Sequence, residues 1–135
     1  MRVVALDLGT RRIGLAVSDP TGTVASPLAV VDRRGDREAE HTEVARWVGE
    51  AGAALVLVGL PLSLSGRTGP AARAALEEVE QLRQRLEVPV ETADERFTTV
   101  TATRALRQSR RRRPERGAVD QAAAAVLLQA WLDGR

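Results

Sequence analysis

Apolar residues change their spacing along the chain, and the change divides it into two halves. From Arg2 to Leu8 the run RVVALDL is almost continuously apolar, interrupted by Asp7, and β-branched Val3 and Val4 favour a strand. Gly9-Thr10-Arg11-Arg12 punctuates it. Ile13–Ser18 reads as a second strand, closed by the turn signal Asp19-Pro20-Thr21-Gly22, and Val24–Val31 as a third. Three strands on short connections predict an antiparallel meander.

Helical spacing takes over after residue 35. Asp36 is placed to cap a helix reaching about Glu50, with Val44, Trp47, Val48 and Ala51 on one face and Gly52 just past its end. Ala54–Gly59 is a buried strand and Leu60–Thr68 a loop. Gly69-Pro70 sets proline at the first position of a helix running to about Leu86. Pro89–Asp94 is a fifth strand. Thr98 or Thr99 caps a further helix to roughly Gln108. Ser109–Gly117 connects it to a last, alanine-rich helix over Ala118–Leu132. The order β-β-β-α-β-α-β-α-α predicts an α/β fold: a five-stranded mixed sheet with helices on both faces. With 135 residues, no internal repeat and no linker, residues 1–135 are read as one domain.

Composition narrows the chemistry. There is no cysteine, so disulfides, thiolate metal sites and cysteine nucleophiles are excluded. A single histidine, His41, cannot build a multi-histidine centre. It is read at a solvent-facing or boundary helix position and given no role. Trp47, Phe97 and Trp131 are the only aromatics, too few for a base-stacking platform. No apolar run is long enough to span a membrane, and the amino-terminal stretch turns polar too soon for a secretory segment. The cytoplasm is the expected compartment. All 20 Lys+Arg residues are arginine, and they are unevenly placed. Residues 1–95 carry 11 arginines against 15 acids, and residues 96–135 carry 9 against 3. A cationic carboxyl-terminal third on a mildly acidic body suits a polyanionic partner.

Three places hold carboxylates where strands and helices end. Asp7 closes the first strand, with Gly9 and Gly14 nearby. Asp94-Glu95-Arg96 stands at the end of the fifth strand, where alternation sends the two acids to opposite faces, so that one of them can face Asp7. Asp120 sits in the first turn of the alanine-rich helix. Sites of α/β sheets lie at the carboxyl ends of their strands. Acids without histidine or cysteine are hard oxygen donors, which suit Mg²⁺ or Mn²⁺ rather than zinc. Such ions beside arginines make a phosphodiester-cleaving site. Arg110, Arg111, Arg112, Arg113 and Arg116 put five positive charges within seven residues, immediately before the helix of Asp120. They read as a phosphate clamp. The loop containing Gly59, Pro61 and Gly66 belongs to the same rim, where main-chain N–H groups can hold a substrate backbone.

Four segments together resemble the YqgF family, also called RuvX: DLGTRRIGLAVSD at 7–19, VGLPLSLSGRTG at 58–69, DERFTT at 94–99 and VDQAAAAVLLQAWL at 119–132. The resemblance covers nearly the whole chain, in family order. The family is a branch of the RuvC-like, ribonuclease H-like nucleases. It is described as Holliday junction resolvase-like and as a nuclease in maturation of the 16S ribosomal RNA precursor. The resemblance implies a ribonuclease H-like fold and a metal-dependent cytoplasmic nuclease with Asp7, Glu95 and Asp120 as catalytic, metal-binding acids. Gly9, Arg12 and Gly14 match the first motif, and Arg12 and Arg96 join the arginine run as nucleic-acid contacts. RuvC resolvases carry a fourth carboxylate three residues before the last. Here that position is Gly117, a departure that favours RNA over branched DNA as substrate.

Other classes are less consistent with the sequence. ATPases of the actin, sugar-kinase and Hsp70 type share the core and an Asp-x-Gly-Thr motif like Asp7–Thr10, but they enclose their nucleotide between two such domains. A noncatalytic nucleic-acid-binding module would use the arginine run alone, and acids near a phosphate site repel the backbone unless a metal is present. Nucleic acid is the expected partner, with the chain a monomer or a homodimer. A four-way junction would require two symmetric sites.

Overall fold

The structure is a computed structural model that describes residues 1–60, 69–94 and 121–135, and the backbone alone of 118–120. Five strands, β1 (Val3–Leu8), β2 (Arg12–Ser18), β3 (Ala25–Asp32), β4 (Leu55–Leu60) and β5 (Val90–Asp94), form one sheet in the order β3-β2-β1-β4-β5. β1, β2 and β3 pair antiparallel as a meander, while β4 is parallel to both β1 and β5. The mixed five-stranded sheet is the one the sequence predicts. Between β3 and β4 lies α1 (Arg37–Ala51), and between β4 and β5 lies α2 (Pro70–Arg85). A third described helix, α3 (Ala118–Asp133), follows β5. The helix expected from Thr98 or Thr99 to Gln108 and the arginine connector lie outside the described residues.

Strand alternation divides the core into two layers. Val4 and Leu6 of β1, with Ile13, Leu15, Val31, Val56, Val58 and Val90, face α1 and α2, where they meet Val44, Val48, Val79 and Leu82. Val3, Ala5, Ala16, Leu55 and Leu57 face the opposite way, onto Ala124, Leu127, Leu128 and Leu132 of α3. Alanines on both sides of this second interface let α3 lie close, chiefly over β2 and β3.

Local signals set the element ends. The Asp36 carboxylate accepts a hydrogen bond from the Ala39 N–H at 3.1 Å, capping α1. Gly52 ends α1 in the left-handed region (φ 65°), which glycine adopts without the Cβ clash that other residues meet. Pro70 opens α2. On edge strand β3, Pro27 opposes Ala16 at a register shift, where its missing N–H does not break a regular ladder. No helix among the described residues is long and apolar enough to cross a membrane.

Candidate active site

Asp7 is the second-last residue of β1 and pairs directly with Gly14 of β2. Alternation puts it on the α3 face, in line with Val3 and Ala5. On its other side, the last paired residues of β1 and β4 are Leu6 and Val58, so Gly59 is the next β4 residue, level with Asp7. Gly59 pairs in turn with Ala93 of β5, which belongs to the α3-facing layer. One row across the sheet therefore reads Val30, Gly14, Asp7, Gly59, Ala93. Cross-strand neighbours on one face have Cβ atoms about 5 Å apart. Neither of the two residues that flank Asp7 across the sheet carries a side chain. Just past Asp7, the Gly9 N–H donates to the Asp7 carbonyl at 3.1 Å and turns the chain sharply toward β2. Asp7 is half-buried and is itself engaged in an electrostatic or hydrogen-bonding contact.

The direction of α3 brings its amino end to this end of the sheet. Gln129, near its carboxyl end, accepts from the Ala25 N–H at 2.9 Å and donates to the Thr23 carbonyl at 2.9 Å. Ala25 opens β3 and Thr23 precedes it, at the end of the sheet away from Asp7. Ala124, one to two turns back, is fully buried against Val3, Ala5 and Ala16. Asp120 stands one further turn toward the amino end, a rise of about 6 Å.

Arg12 opens β2 two residues before Gly14 and pairs in register with Asp32 of β3. Its Nε lies 3.4 Å from Asp32 Oδ1. Asp94 ends β5 opposite Leu60. Strand parity sets it with Val90 on the α1/α2 side, and Ala93 on the side of Asp7. Glu95, Arg96, Arg110, Arg111, Arg112, Arg113, Arg116, Pro61 and Gly66 lie outside the described residues. Among the described residues no group of three or more acidic or histidine side chains could hold a metal ion. Of the three expected ligands, Asp7 alone has a described side chain.

His41 corrects the sequence reading. It is buried, not solvent-facing, and its Nε2 donates to Glu78 Oε2 at 2.7 Å. Glu78 is buried too, and its other oxygen accepts from Arg33 Nη2 at 2.9 Å. Arg33 also lies 3.7 Å from buried Glu40, whose second oxygen accepts from the Arg34 N–H at 3.1 Å. Burial pushes the Glu78 carboxyl up, but the hydrogen bonds from His41 and Arg33 and the charges of Arg33 and Arg37 outweigh it and hold the group at about 2. This network joins the β3–α1 turn, α1 and α2, and lies on the face of the sheet opposite Asp7. Asp19 has a different job at the far end of the sheet. Its carboxylate accepts from the Thr21 hydroxyl and from the N–H groups of Val24 and Thr23, which hold it well below the usual carboxylate range and shape the β2–β3 turn.

The sequence alone does not reveal Asp32 as the partner of Arg12, because that pairing depends on the meander's register. A family model described as RuvX, Holliday junction resolvase, matches residues 1–134. A protein of Mycobacterium ulcerans (strain Agy99), provisionally named pre-16S rRNA nuclease, is 46% identical over 137 residues, spanning 99% of this chain and 79% of its own. One of the same name from Mycobacterium sp. (strain KMS) is 44% identical over 136 residues, spanning 99% and 80%. Among solved structures, T. thermophilus RuvC in complex with a Holliday junction substrate superposes with a TM-score of 0.62 at 17% identity, covering 96% of this chain and 92% of that one. At that identity the match speaks for the ribonuclease H-like fold.

Proposed function

The chain belongs to the RuvX family, and from that premise we propose that it is a divalent-metal-dependent nuclease that hydrolyses phosphodiester bonds in the 16S ribosomal RNA precursor. The observation that carries the reading is Asp7, a carboxylate at the carboxyl end of β1 with glycine on either side and the amino end of α3 at the same end of the sheet. Asp7, Glu95 and Asp120 are the proposed metal ligands and catalytic acids. Their oxygens are hard donors, which fits Mg²⁺ or Mn²⁺. A bound ion of this kind lowers the pKa of an attacking water and neutralises charge on the cleaved phosphate. The chain's own part is to hold the acids in one place and to grip the flanking phosphates. Arg12, Arg96, Arg110 to Arg113 and Arg116 are the proposed cationic contacts. Gly14 and Gly59 flank Asp7 across the sheet without side chains of their own, and Gly9, Pro61 and Gly66 are the proposed main-chain contacts to the substrate backbone. The enzyme acts in the cytoplasm.

A second reading, cleavage of four-way DNA junctions, is favoured by the family's description and by the RuvC fold. Gly117 stands where RuvC resolvases carry a further acid, and this favours RNA. The two readings separate when one preparation is given end-labelled precursor RNA, duplex DNA and a four-way junction, each with Mg²⁺, Mn²⁺ or chelator. The RNA reading predicts metal-dependent cleavage of RNA at least tenfold faster than of the junction. Symmetric paired nicks in the junction, made by a stable dimer at rates matching RNA cleavage, would replace it with the resolvase reading.

A further inference from the structure

We infer that Asp32 is a positioning residue that aims Arg12 at the substrate phosphate next to the one cleaved, so that the substrate strand crosses β2 toward β3. The inference rests on the nuclease reading above. Arg12 lies on the same face of the sheet as Asp7: it is two residues from Gly14, and Gly14 is the direct partner of Asp7. Diagonal neighbours of this kind are about 7–8 Å apart at Cα, well within the reach of an arginine side chain. Asp32 is directly opposite Arg12 on the outer strand, so both side chains leave the same face.

Arg12 is 21% exposed and Asp32 62%, so the arginine side chain is the more covered of the two. The contact with Asp32 is made at Nε, 3.4 Å from Oδ1. The backbone around the pair is fixed as well: the Arg33 N–H donates to the Arg11 carbonyl at 2.9 Å. Arg33 is in turn anchored to Glu78. An arginine that is covered and held has fewer rotamers to lose when it meets a phosphate, which is what a positioning partner contributes.

The sign of one substitution separates positioning from plain electrostatics. A negative charge beside a nucleic-acid site should weaken binding, so if Asp32 did nothing else, Asp32→Asn would tighten it. The proposal predicts the opposite. Binding of a fluorescent single-stranded precursor RNA is measured in chelator, across a salt series, for the wild type, Asp32→Asn, Asp32→Glu, Arg12→Ala and the double variant Arg12→Ala/Asp32→Asn. Arg12→Ala should flatten the slope of log K against log salt by about 0.7, one phosphate contact on a single strand. Asp32→Asn should weaken binding about two- to fivefold, the scale of an exposed ion pair. Asp32→Glu should recover most of that loss, and Asp32→Asn should have no effect once Arg12 is alanine. A methylphosphonate one step from the cleavage position should weaken binding by the wild type but not by Arg12→Ala. Tighter binding by Asp32→Asn, an equal effect of Asp32→Asn with and without Arg12, an unchanged salt slope in Arg12→Ala, or equal methylphosphonate sensitivity would each overturn the proposal. Failure of the nuclease reading would appear separately, as a wild type that cuts no RNA in Mg²⁺ or Mn²⁺.

Discussion

Glu78→Gln should destabilise the protein and remove a specific part of its acid sensitivity. Glu78 is buried between α1 and α2 and accepts from His41 at 2.7 Å and Arg33 at 2.9 Å. Its carboxyl is held at about 2, against 4.5 ordinarily. A folded-state pKa below the unfolded one means stability that is fully present above about pH 4.5 and is lost as pH falls toward 2. The difference corresponds to about 3 kcal/mol over the whole range, of which about 1 kcal/mol is gone by about pH 3.5. Glutamine keeps the shape but leaves His41 without its charged partner and Arg33 with only the more distant Glu40. Breaking a buried pair on one side costs about 3–5 kcal/mol. The assay is urea unfolding of wild type and variant at steps between pH 7 and pH 3.5. The variant should lose about 3 kcal/mol or more at pH 7, and the two stability curves should converge as pH falls. A loss below about 1 kcal/mol at pH 7, or curves that stay parallel down to pH 3.5, would refute the reasoning.

Three further outcomes follow from the same picture. Replacing Arg110 to Arg113 with serine should flatten the salt slope of RNA binding by roughly 3 units, at about 0.7–0.9 for each phosphate no longer neutralised, while the single-turnover rate at saturation falls much less; an unchanged slope would make the run a solvated connector. Asp94→Asn should keep metal-dependent cleavage while Glu95→Gln loses it at least a hundredfold, since parity sets Asp94 on the side away from Asp7; rates measured side by side decide, and the reverse pattern would exchange their roles. Gln129→Ala removes the side-chain bonds to Ala25 and Thr23 and should lower stability by about 1–2 kcal/mol in urea unfolding.

Much of the fold is written locally, in features that need no distant partner. The run around Asp7, the turn at Asp19–Gly22, the cap at Asp36 and the left-handed Gly52 each declare an element or its end within a few residues. The pairing directions are legible too, because three short-linked strands return antiparallel, while helical crossovers make β4 and β5 parallel. What depends on register is not legible. Nothing near Asp7 in the chain says that Gly14 and Gly59 will flank it, and nothing near Arg12 points to Asp32. His41 escapes for a related reason. α1 carries glutamates and arginines all around, so a polar residue on its inward side looks like any other until α2 delivers Glu78, 37 residues on, to pair with it. At the candidate site, Asp7 and the α3 segment of Asp120 are legible as acids at element ends; the family resemblance selects Glu95 over Asp94, and the face of Asp94 follows only from the pairing of β5 with β4.

Single-turnover cleavage of end-labelled precursor RNA by wild type and Asp7→Asn, titrated with Mn²⁺ and followed alongside thermal melting, tests the central claim most directly. The account predicts that the wild type cuts in Mn²⁺ and not in chelator, and that Mn²⁺ raises its melting temperature. Asp7→Asn should cut at least a hundredfold more slowly and gain less from Mn²⁺. Its melting temperature without metal should be equal to or above that of the wild type, because a carboxylate among other acids repels them. An Asp7→Asn protein that cuts at the wild-type rate with the same metal dependence would contradict it.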